Sequence, residues 1–259
     1  MIGVHILASG STGNAALFQF GSTSILIDAG ISARRITNGL KAVGSDVQAI
    51  DAILLTHEHS DHIKGVEVLA RRYHIPVYSR ARTWEQLPFR DNIPQECCRI
   101  LEDAMTFGRV EVECFSISHD AADPVGFQFY YRQRKLAFAT DVGKVTKTVV
   151  NALSEADIAV LEANHDRRLL ADGPYPRFLK ERISGGCGHL SNDHTARLLA
   201  QLKLKQGLRV FLAHLSQHNN RPELAHATIA NYLRQQGCEV GRDIILLQTH
   251  PGQTVGCRL

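Results

Sequence analysis

The chain has 259 residues, of which 44% are hydrophobic and 21% are charged, and its formal net charge is +3 at pH 7. This composition is typical of a soluble globular protein and excludes disordered and fibrous proteins. Such a small net charge is far below the basic excess of a protein that coats nucleic acid, although a local groove for an anionic substrate is compatible with it. The sequence has no signal-peptide pattern and no apolar run of membrane-spanning length, so we expect a cytoplasmic protein.

Strand and helix patterns alternate along the first part of the chain. Apolar runs separated by glycine turns predict a three-stranded antiparallel meander, and a buried strand follows later. The predicted strands are residues 3–8, 15–20, 23–28 and 52–55. Between the last two of these, Ser32 is placed to cap a helix that ends before Gly44, and helical apolar spacing returns from Ile63 to Tyr73.

The second part of the chain continues the alternation. Its predicted strands are residues 110–117, 125–131, 135–140, 157–161, 208–213 and 243–247. Its predicted helices are residues 176–183, 193–204 and 222–235. Strand-rich blocks interspersed with helices indicate an α/β protein in which two mixed β-sheets pack together with helices on the outside. Because no linker is obvious, we expect a single domain over residues 1–259.

The strongest motif is His57-x-His59-x-Asp61-His62, which stands where a buried strand ends and a helix begins. Neutral imidazole and carboxylate are ligands for divalent metals such as zinc. The i,i+2 spacing of a strand sends His57 and His59 to the same side, so they can share one metal. The turn at Ser60 redirects Asp61 and His62, which can serve a second metal. In the alternative interpretation, Asp61 only caps the helix and the histidines lie in a polar loop.

Three other polar residues each follow a predicted apolar strand. They are His119, Asp141 and His214. Side chains that converge at one edge of a sheet form a site without burying unpaired charge in the core. An isolated histidine at a strand end is more often structural, but the shared placement favours these residues as metal ligands.

These motifs resemble those of the metallo-β-lactamase fold superfamily. The resemblance rests on Ile27-Asp28-Ala29-Gly30, Thr56-His-Glu-His-Ser-Asp-His62, Ser118-His119-Asp120, Thr140-Asp141-Val-Gly143 and His214. It extends over nearly the whole chain and implies an αβ/βα sandwich. Further segments look like the bacterial YycJ/WalJ branch, which implies 5′-to-3′ exonuclease activity on DNA. They are Leu7-Ala-Ser-Gly-Ser-Thr-Gly-Asn14, Ala163-Asn-His-Asp166, Gly188-His-Leu-Ser-Asn192 and His214-Leu-Ser-x-x-Asn-Asn220.

The same resemblance implies a ligand set for two metal ions. The implied ligands are His57, His59 and His119 for one metal, Asp61, His62 and His214 for the other, and Asp141 between them. It also implies that Asp28 steadies the histidine loop, a role typical of a carboxylate behind a metal-binding histidine. From the sequence alone, Asp28 is equally compatible with an ordinary turn residue. A nitrogen and oxygen ligand set accepts zinc or manganese, and iron is also compatible.

Two divalent ions a few ångströms apart can hold a bridging hydroxide as the nucleophile and neutralise charge on a phosphoryl oxygen. The leaving oxygen still needs a proton or a positive partner, for which His189 is the candidate. His189 and Asp61 are therefore the candidate catalytic residues. Ser11, Asn14 and Asn220 are candidate substrate contacts. In the alternative interpretation, His189 belongs to an ordinary helix-entry loop.

The segment between Asp141 and His214 is too short to contain the inserted cap domain of the β-CASP nucleases. It carries arginines and lysines interleaved with aromatic residues, which is compatible either with tracking a single nucleic-acid strand or with a solvated helix face. We therefore predict a dinuclear-metal phosphodiesterase acting on nucleic acid, namely a 5′-to-3′ DNA exonuclease. The alternatives are a small-molecule metallohydrolase for a thioester, lactam or cyclic phosphodiester, and a metal-dependent nucleic-acid-binding module.

Overall fold

The computed structural model describes residues 1–259 and contains two seven-stranded β-sheets with helices. The first six strands are β1 (Ile2–Ala8), β2 (Ala15–Phe20), β3 (Thr23–Ile27), β4 (Ala52–Leu54), β5 (Val77–Ser79) and β6 (Cys98–Ile100). The next five are β7 (Ala104–Phe107), β8 (Val110–Ser116), β9 (Val125–Tyr131), β10 (Arg134–Ala139) and β11 (Ile158–Glu162). The last three are β12 (Leu208–Ala213), β13 (Ile244–Gln248) and β14 (Val255–Arg258).

Each sheet combines antiparallel and parallel strands. The first has the order β14-β1-β2-β3-β4-β5-β6, and the second has the order β13-β12-β11-β10-β9-β8-β7. In the first sheet the β1–β3 meander is antiparallel, whereas β3 to β6 run parallel. In the second sheet β10 to β13 run parallel. This arrangement confirms the prediction of an α/β protein with two mixed sheets.

Nine α-helices connect the strands. They are α1 (Ala33–Ala42), α2 (Ser60–Ile63), α3 (Val66–Tyr73), α4 (Ala81–Gln86), α5 (Lys147–Leu153), α6 (Arg167–Asp172), α7 (Arg177–Ser184), α8 (Asn192–Gln201) and α9 (Pro222–Gln235). Several begin as their sequences predict. Ser32 accepts a hydrogen bond from the backbone of Arg35 at the start of α1, and Pro222 occupies the first turn of α9.

The chain forms two compact units, each with its own hydrophobic core. The first comprises residues 1–112, 121–124 and 250–259, and the second comprises residues 113–120 and 125–249. In the first unit, Leu26, Ile53 and Leu69 are among the core residues and lie on β3, β4 and α3. In the second unit, β10, β11 and β12 supply core residues against α8 and α9. The prediction of one domain over the whole chain stays a prediction.

The long apolar strands lie within two residues of their predicted bounds, but several shorter elements were not predicted. These are β5, β6, β7, β14, α2, α4, α5 and α6. The helix predicted over residues 63–73 begins only at Val66, as α3, and the separate short helix α2 ends at Ile63. Gly65 lies between the two helices and packs against the backbone of Ile31. A Cβ atom at Gly65 would lie 2.5 Å from the carbonyl oxygen of Ile31. A close approach of this kind comes from the tertiary structure and leaves no periodic pattern in the sequence.

Candidate functional site

The histidine motif of the first unit lies directly after β4 and forms one compact cluster. His57 and His62 are buried, with 1% and 0% exposure, and their ring centroids are 4.1 Å apart. The His59 ring lies 4.6 Å from that of His57. Asp61 lies in the first turn of the short helix α2, and its Oδ2 is 3.5 Å from Nε2 of His62. The structure thus brings together all four predicted ligands of this motif.

A buried carboxylate holds the histidine cluster from behind. Asp28 follows β3 with a left-handed backbone (φ 56°), and its Oδ2 lies 2.7 Å from Nδ1 of His62. Its Oδ1 accepts a hydrogen bond of 2.8 Å from the backbone N–H of Thr56. The Thr56 hydroxyl in turn lies 2.9 Å from Nδ1 of His57. Burial raises the pKa of the Asp28 carboxyl, while the His62 and Thr56 contacts favour its charged form. These are the contacts that a steadying role for Asp28 requires.

The glycine-rich turn after β1 packs against the same loop. The Asn14 side chain is buried, and its amide nitrogen lies 3.2 Å from Nε2 of His62 and 3.4 Å from Oδ2 of Asp61. A Cβ atom at Gly30 would come within 1.6 Å of the Asp61 carbonyl oxygen, so only glycine permits this packing. Asn14 therefore contacts two candidate ligands, whereas Ser11 is exposed. Contact of either residue with substrate stays a prediction.

In the second unit, acidic and histidine side chains gather at the carboxyl ends of parallel strands. Asp141 lies two residues beyond β10, Glu162 ends β11, and His214 follows β12. The strand register pairs Glu162 with Ala213, so Glu162 and His214 are neighbours at one sheet edge. Asp141 and His214 both have left-handed backbones, with φ of 59° and 55°. Such conformations are costly for residues other than glycine and are found preferentially at functional sites.

Glu162 is the central carboxylate of this second cluster. It is fully buried, and its Oε1 lies 2.8 Å from Nδ1 of His189 and 2.9 Å from Nδ1 of His214. Its Oε2 accepts hydrogen bonds of 2.9 Å from the backbone N–H groups of Val142 and Leu190. Burial alone would raise the pKa of Glu162, but the His189 and His214 contacts hold it well below its usual range.

The sequence interpretation missed Glu162, although the signal used for Asp141 was available for it. Glu162 follows the apolar run Ile158-Ala-Val-Leu161, as the other candidates follow their strands. It was missed because it does not belong to any sequence motif of metal ligands. The residue contacts His189, 27 positions later in the chain, and this pairing exists only in the fold.

His119 and His189 complete the cluster of the second unit. Nδ1 of His119 lies 3.2 Å from the Gly188 carbonyl oxygen, and its Nε2 lies 3.8 Å from Oδ1 of Asp141. The His189 ring centroid is 5.2 Å from that of His119 and 5.2 Å from that of His214. Burial lowers the pKa of His119, which favours the neutral imidazole that metals bind. The structure thus places the candidate catalytic residue His189 among the candidate ligands of this unit.

Asn220 lies in a network of amide groups beside this cluster. Its side chain exchanges hydrogen bonds of 2.9 and 3.0 Å with Asn192 and donates to the carbonyl oxygen of Ala163. It is buried, with 5% exposure. These contacts hold the start of α8 against the end of β11. A direct contact between Asn220 and substrate stays a prediction.

The donors in the two clusters fit divalent metal ions. In His57, His62, His119 and His214, Nδ1 lies within hydrogen-bonding distance of a hydroxyl, carboxylate or carbonyl oxygen. This arrangement fixes the ring and leaves Nε2 as the ligand nitrogen. In the second unit, one ligand atom from each of Asp141, Glu162, His189 and His214 lies within 4.8 Å of the others. Imidazole nitrogen and carboxylate oxygen are the donors that zinc and manganese accept.

Comparison with known proteins places this arrangement in a family. The model of the beta-lactamase superfamily domain matches residues 23–215, and the chain belongs to that superfamily. Exodeoxyribonuclease YycJ of Bacillus anthracis is 39% identical over 255 residues, which cover 96% of this chain and 97% of the relative. Exodeoxyribonuclease WalJ of Streptococcus pneumoniae serotype 2 is 38% identical over 251 residues, which cover 95% of this chain and 93% of the relative.

Solved structures confirm the fold class. The metallo-beta-lactamase fold protein YhfI from Bacillus subtilis has a TM-score of 0.73 at 16% identity and covers 98% of this chain, which covers 99% of YhfI. Human tRNase Z, short form, has a TM-score of 0.63 at 18% identity, with 98% of each chain covered. Together with the donor clusters, family membership defines a metal-dependent hydrolase. The helices of the protein include no candidate for a membrane span, because none combines the required length and hydrophobicity.

Proposed function

We propose that the protein is a metal-dependent exodeoxyribonuclease that digests DNA in the 5′-to-3′ direction with two divalent ions. One observation carries the choice of substrate: two relatives named exodeoxyribonucleases match it along more than nine-tenths of its length at 38–39% identity. The His and Asp clusters in both units support metal dependence, because their donors suit zinc or manganese. The proposal takes residues 1–259 as one domain without a β-CASP insertion.

The proposed metal ligands are the set that the family resemblance implies. They are His57, His59 and His119 for one ion, Asp61, His62 and His214 for the other, and Asp141 shared by both. Support comes from the contacts behind these side chains, since Asp28, Thr56, Gly188 and Glu162 each lie within hydrogen-bonding distance of an Nδ1 atom. Divalent ions held by these residues would lower the pKa of a bound water and neutralise charge on a phosphoryl oxygen.

His189 is proposed to protonate the leaving oxygen of the phosphodiester. Its Nδ1 is directed to the buried Glu162 carboxylate at 2.8 Å, so Nε2 is the nitrogen that can donate to substrate. The negative charge of Glu162 stabilises the protonated imidazole that a general acid must form. The imidazole is also partly accessible, with 16% exposure of the side chain. We propose that Asp61, exposed by 22%, completes the catalytic residues as a ligand that orients the attacking water.

Digestion of end-labelled DNA tests this function. Purified protein is incubated with 5′-labelled and 3′-labelled single- and double-stranded DNA after EDTA treatment, with and without added Mn²⁺ or Zn²⁺. The proposal expects early release of the 5′ label, dependence on added metal, and loss of activity in His59→Ala. No degradation of any DNA, or degradation unaffected by His59→Ala, contradicts it. Hydrolysis of a thioester or lactam in place of DNA would indicate a small-molecule hydrolase.

A further inference from the structure

The second unit also contains a cavity of about 310 Å³, bordered by α6, α7 and the start of α8. Its lining includes Arg167 of α6, Arg177 and Lys180 of α7, and His165 and Ser191. His165 and Ser191 follow Glu162 and His189 by three and two positions, respectively. The cavity is therefore built on the chain segments that directly follow two residues of the candidate site.

The charges around the cavity are predominantly positive. The lining contains three cationic side chains and one carboxylate, namely Arg167, Arg177, Lys180 and Glu181. Glu181 is already engaged by Arg177, whose Nε lies 2.7 Å from its Oε1. Lys180 donates to the carbonyl oxygen of Ala171, another lining residue, over 2.6 Å. An anion entering the cavity would therefore meet net positive charge.

One of the histidines that line the cavity, His165, has a buried ring nitrogen without a partner. His165 is only 2% exposed, and its Nδ1 has no hydrogen-bonding partner in the protein. Burial lowers the pKa of His165 to about 4, so the ring is neutral at pH 7 and retains one N–H group. An unsatisfied buried polar atom costs free energy, which a hydrogen bond to a ligand oxygen would offset.

The start of α8 adds a third attractive element. This ten-residue helix begins after Ser191, whose hydroxyl accepts a hydrogen bond of 3.2 Å from the backbone N–H of His194. Ser191 also lines the cavity. The backbone N–H groups of Asn192 and His194 are already bonded within the protein, to the carbonyl oxygen of His165 and to the Ser191 hydroxyl. The helix therefore contributes the partial positive charge of its amino terminus, which favours a nearby phosphate.

We propose that this cavity binds a phosphate group of the nucleic-acid strand, held by Arg167, Lys180 and the His165 imidazole. The inference rests on the proposed nuclease function and adds a strand-binding subsite separate from the proposed metal ligands. A nucleic acid fits better than a free phosphate ion, because the volume exceeds that of one phosphate group. The same helix α7 also presents Phe178, 72% exposed, as a surface for base stacking.

Binding without metal tests the subsite independently of catalysis. The probe is a short fluorescein-labelled single-stranded DNA with a 5′-phosphate, and its anisotropy is measured in EDTA over a range of salt concentrations. Arg167→Glu and Lys180→Glu are compared with Arg234→Glu, which makes the same charge change on an exposed part of α9. Arg234 does not line the cavity.

Each cavity variant is expected to weaken binding about tenfold, the effect of losing one charge-assisted hydrogen bond. Each should also reduce the salt slope by about 1, while Arg234→Glu leaves both values near those of the wild type. His165→Leu should weaken binding and His165→Gln, which keeps a donor, should restore part of it. Equal affinities for Arg167→Glu, Lys180→Glu and Arg234→Glu would overturn the subsite. The subsite would also be overturned if inorganic phosphate displaced the labelled DNA equally well from the wild type and from both cavity variants.

A parallel assay separates failure of the subsite from failure of the nuclease function. Hydrolysis of bis(p-nitrophenyl) phosphate with Mn²⁺ requires the metal cluster but no extended strand. Arg167→Glu and Lys180→Glu should retain this activity while their KM for DNA rises. If the wild type hydrolyses neither compound, the nuclease proposal fails, and the anisotropy comparison still decides the subsite.

Discussion

Oε1 of Glu162 accepts a hydrogen bond of 2.8 Å from Nδ1 of His189. The Glu162 carboxyl group is fully buried in the second unit. The same oxygen lies 2.9 Å from Nδ1 of His214. One carboxylate thus orients both the proposed general acid and a proposed metal ligand. A buried charge is tolerated there because hydrogen bonds from two backbone N–H groups and two imidazoles stabilise it.

Replacing Glu162 by Gln should therefore impair chemistry more than folding. A neutral amide lacks the negative charge that orients the two imidazoles, and its NH₂ group cannot accept from the backbone N–H groups of Val142 and Leu190. We therefore expect kcat for DNA digestion to fall about 10²–10³-fold. Steady-state kinetics measured together with bound metal by mass spectrometry check this. Glu155→Gln, at an exposed glutamate paired with Lys203, is the matched control and should leave kcat unchanged. Unchanged kcat in Glu162→Gln would contradict the assigned role.

Asp28→Asn tests the carboxylate behind the histidine loop. The amide cannot stabilise the Nδ1–H of His62 as a carboxylate does, so metal affinity should fall about 10–100-fold. Competition with a fluorescent zinc chelator measures the affinity. The control is Asp46→Asn, at an exposed aspartate that caps a turn with its Oδ1 on the backbone N–H of Gln48. Equal zinc affinities for wild type and Asp28→Asn would show that Asp28 is only a turn residue.

Gly30→Ala should disturb the first unit through a steric clash. The added methyl group would lie within 1.6 Å of the Asp61 carbonyl oxygen, so the histidine loop must move. We expect a loss of about 3 kcal/mol in the free energy of unfolding and reduced metal binding. Urea unfolding and metal titration measure these effects. Gly252→Ala serves as the control, because its Cβ would meet no atom within 4 Å. Comparable stability of the two variants would count against the packing described here.

The stability of the protein should fall in acid partly through Asp157, at the start of β11. Burial alone would raise the pKa of Asp157, but hydrogen bonds from Lys205 and Arg134 lower it below its ordinary value. Because the folded-state pKa is lower, this stabilisation is complete above the unfolded pKa of about 3.9 and is lost as pH falls through the folded value.

Urea unfolding of Asp157→Asn at pH 7, 5, 4 and 3 tests this. The variant should be about 1–2 kcal/mol less stable than wild type at pH 7, and the difference should shrink below pH 4. Asp172→Asn, at an exposed end of α6, controls for the general effect of removing a carboxylate. A difference that stays constant from pH 7 to pH 3 would disprove the linkage.

The predictable parts of this fold are those with strong local patterns. Long apolar strands such as β10 and β12 and the dense motif from His57 to His62 were evident in the sequence. Short strands such as β5, with three residues, owe their structure to neighbouring strands and not to their own composition. The role of Glu162 was likewise hidden, because its partners lie 27 and 52 positions away.

The central claim is that DNA digestion depends on divalent ions held by the histidine and aspartate side chains. The most direct measurement follows the release of 5′-labelled nucleotides from DNA while Mn²⁺ is added back to EDTA-treated protein, in wild type and His62→Ala. The account predicts no release without metal, recovery in the wild type as Mn²⁺ is added, and no recovery in His62→Ala. The account would be contradicted if the metal-free wild type digested DNA as fast as the Mn²⁺-loaded protein, or if His62→Ala recovered full activity.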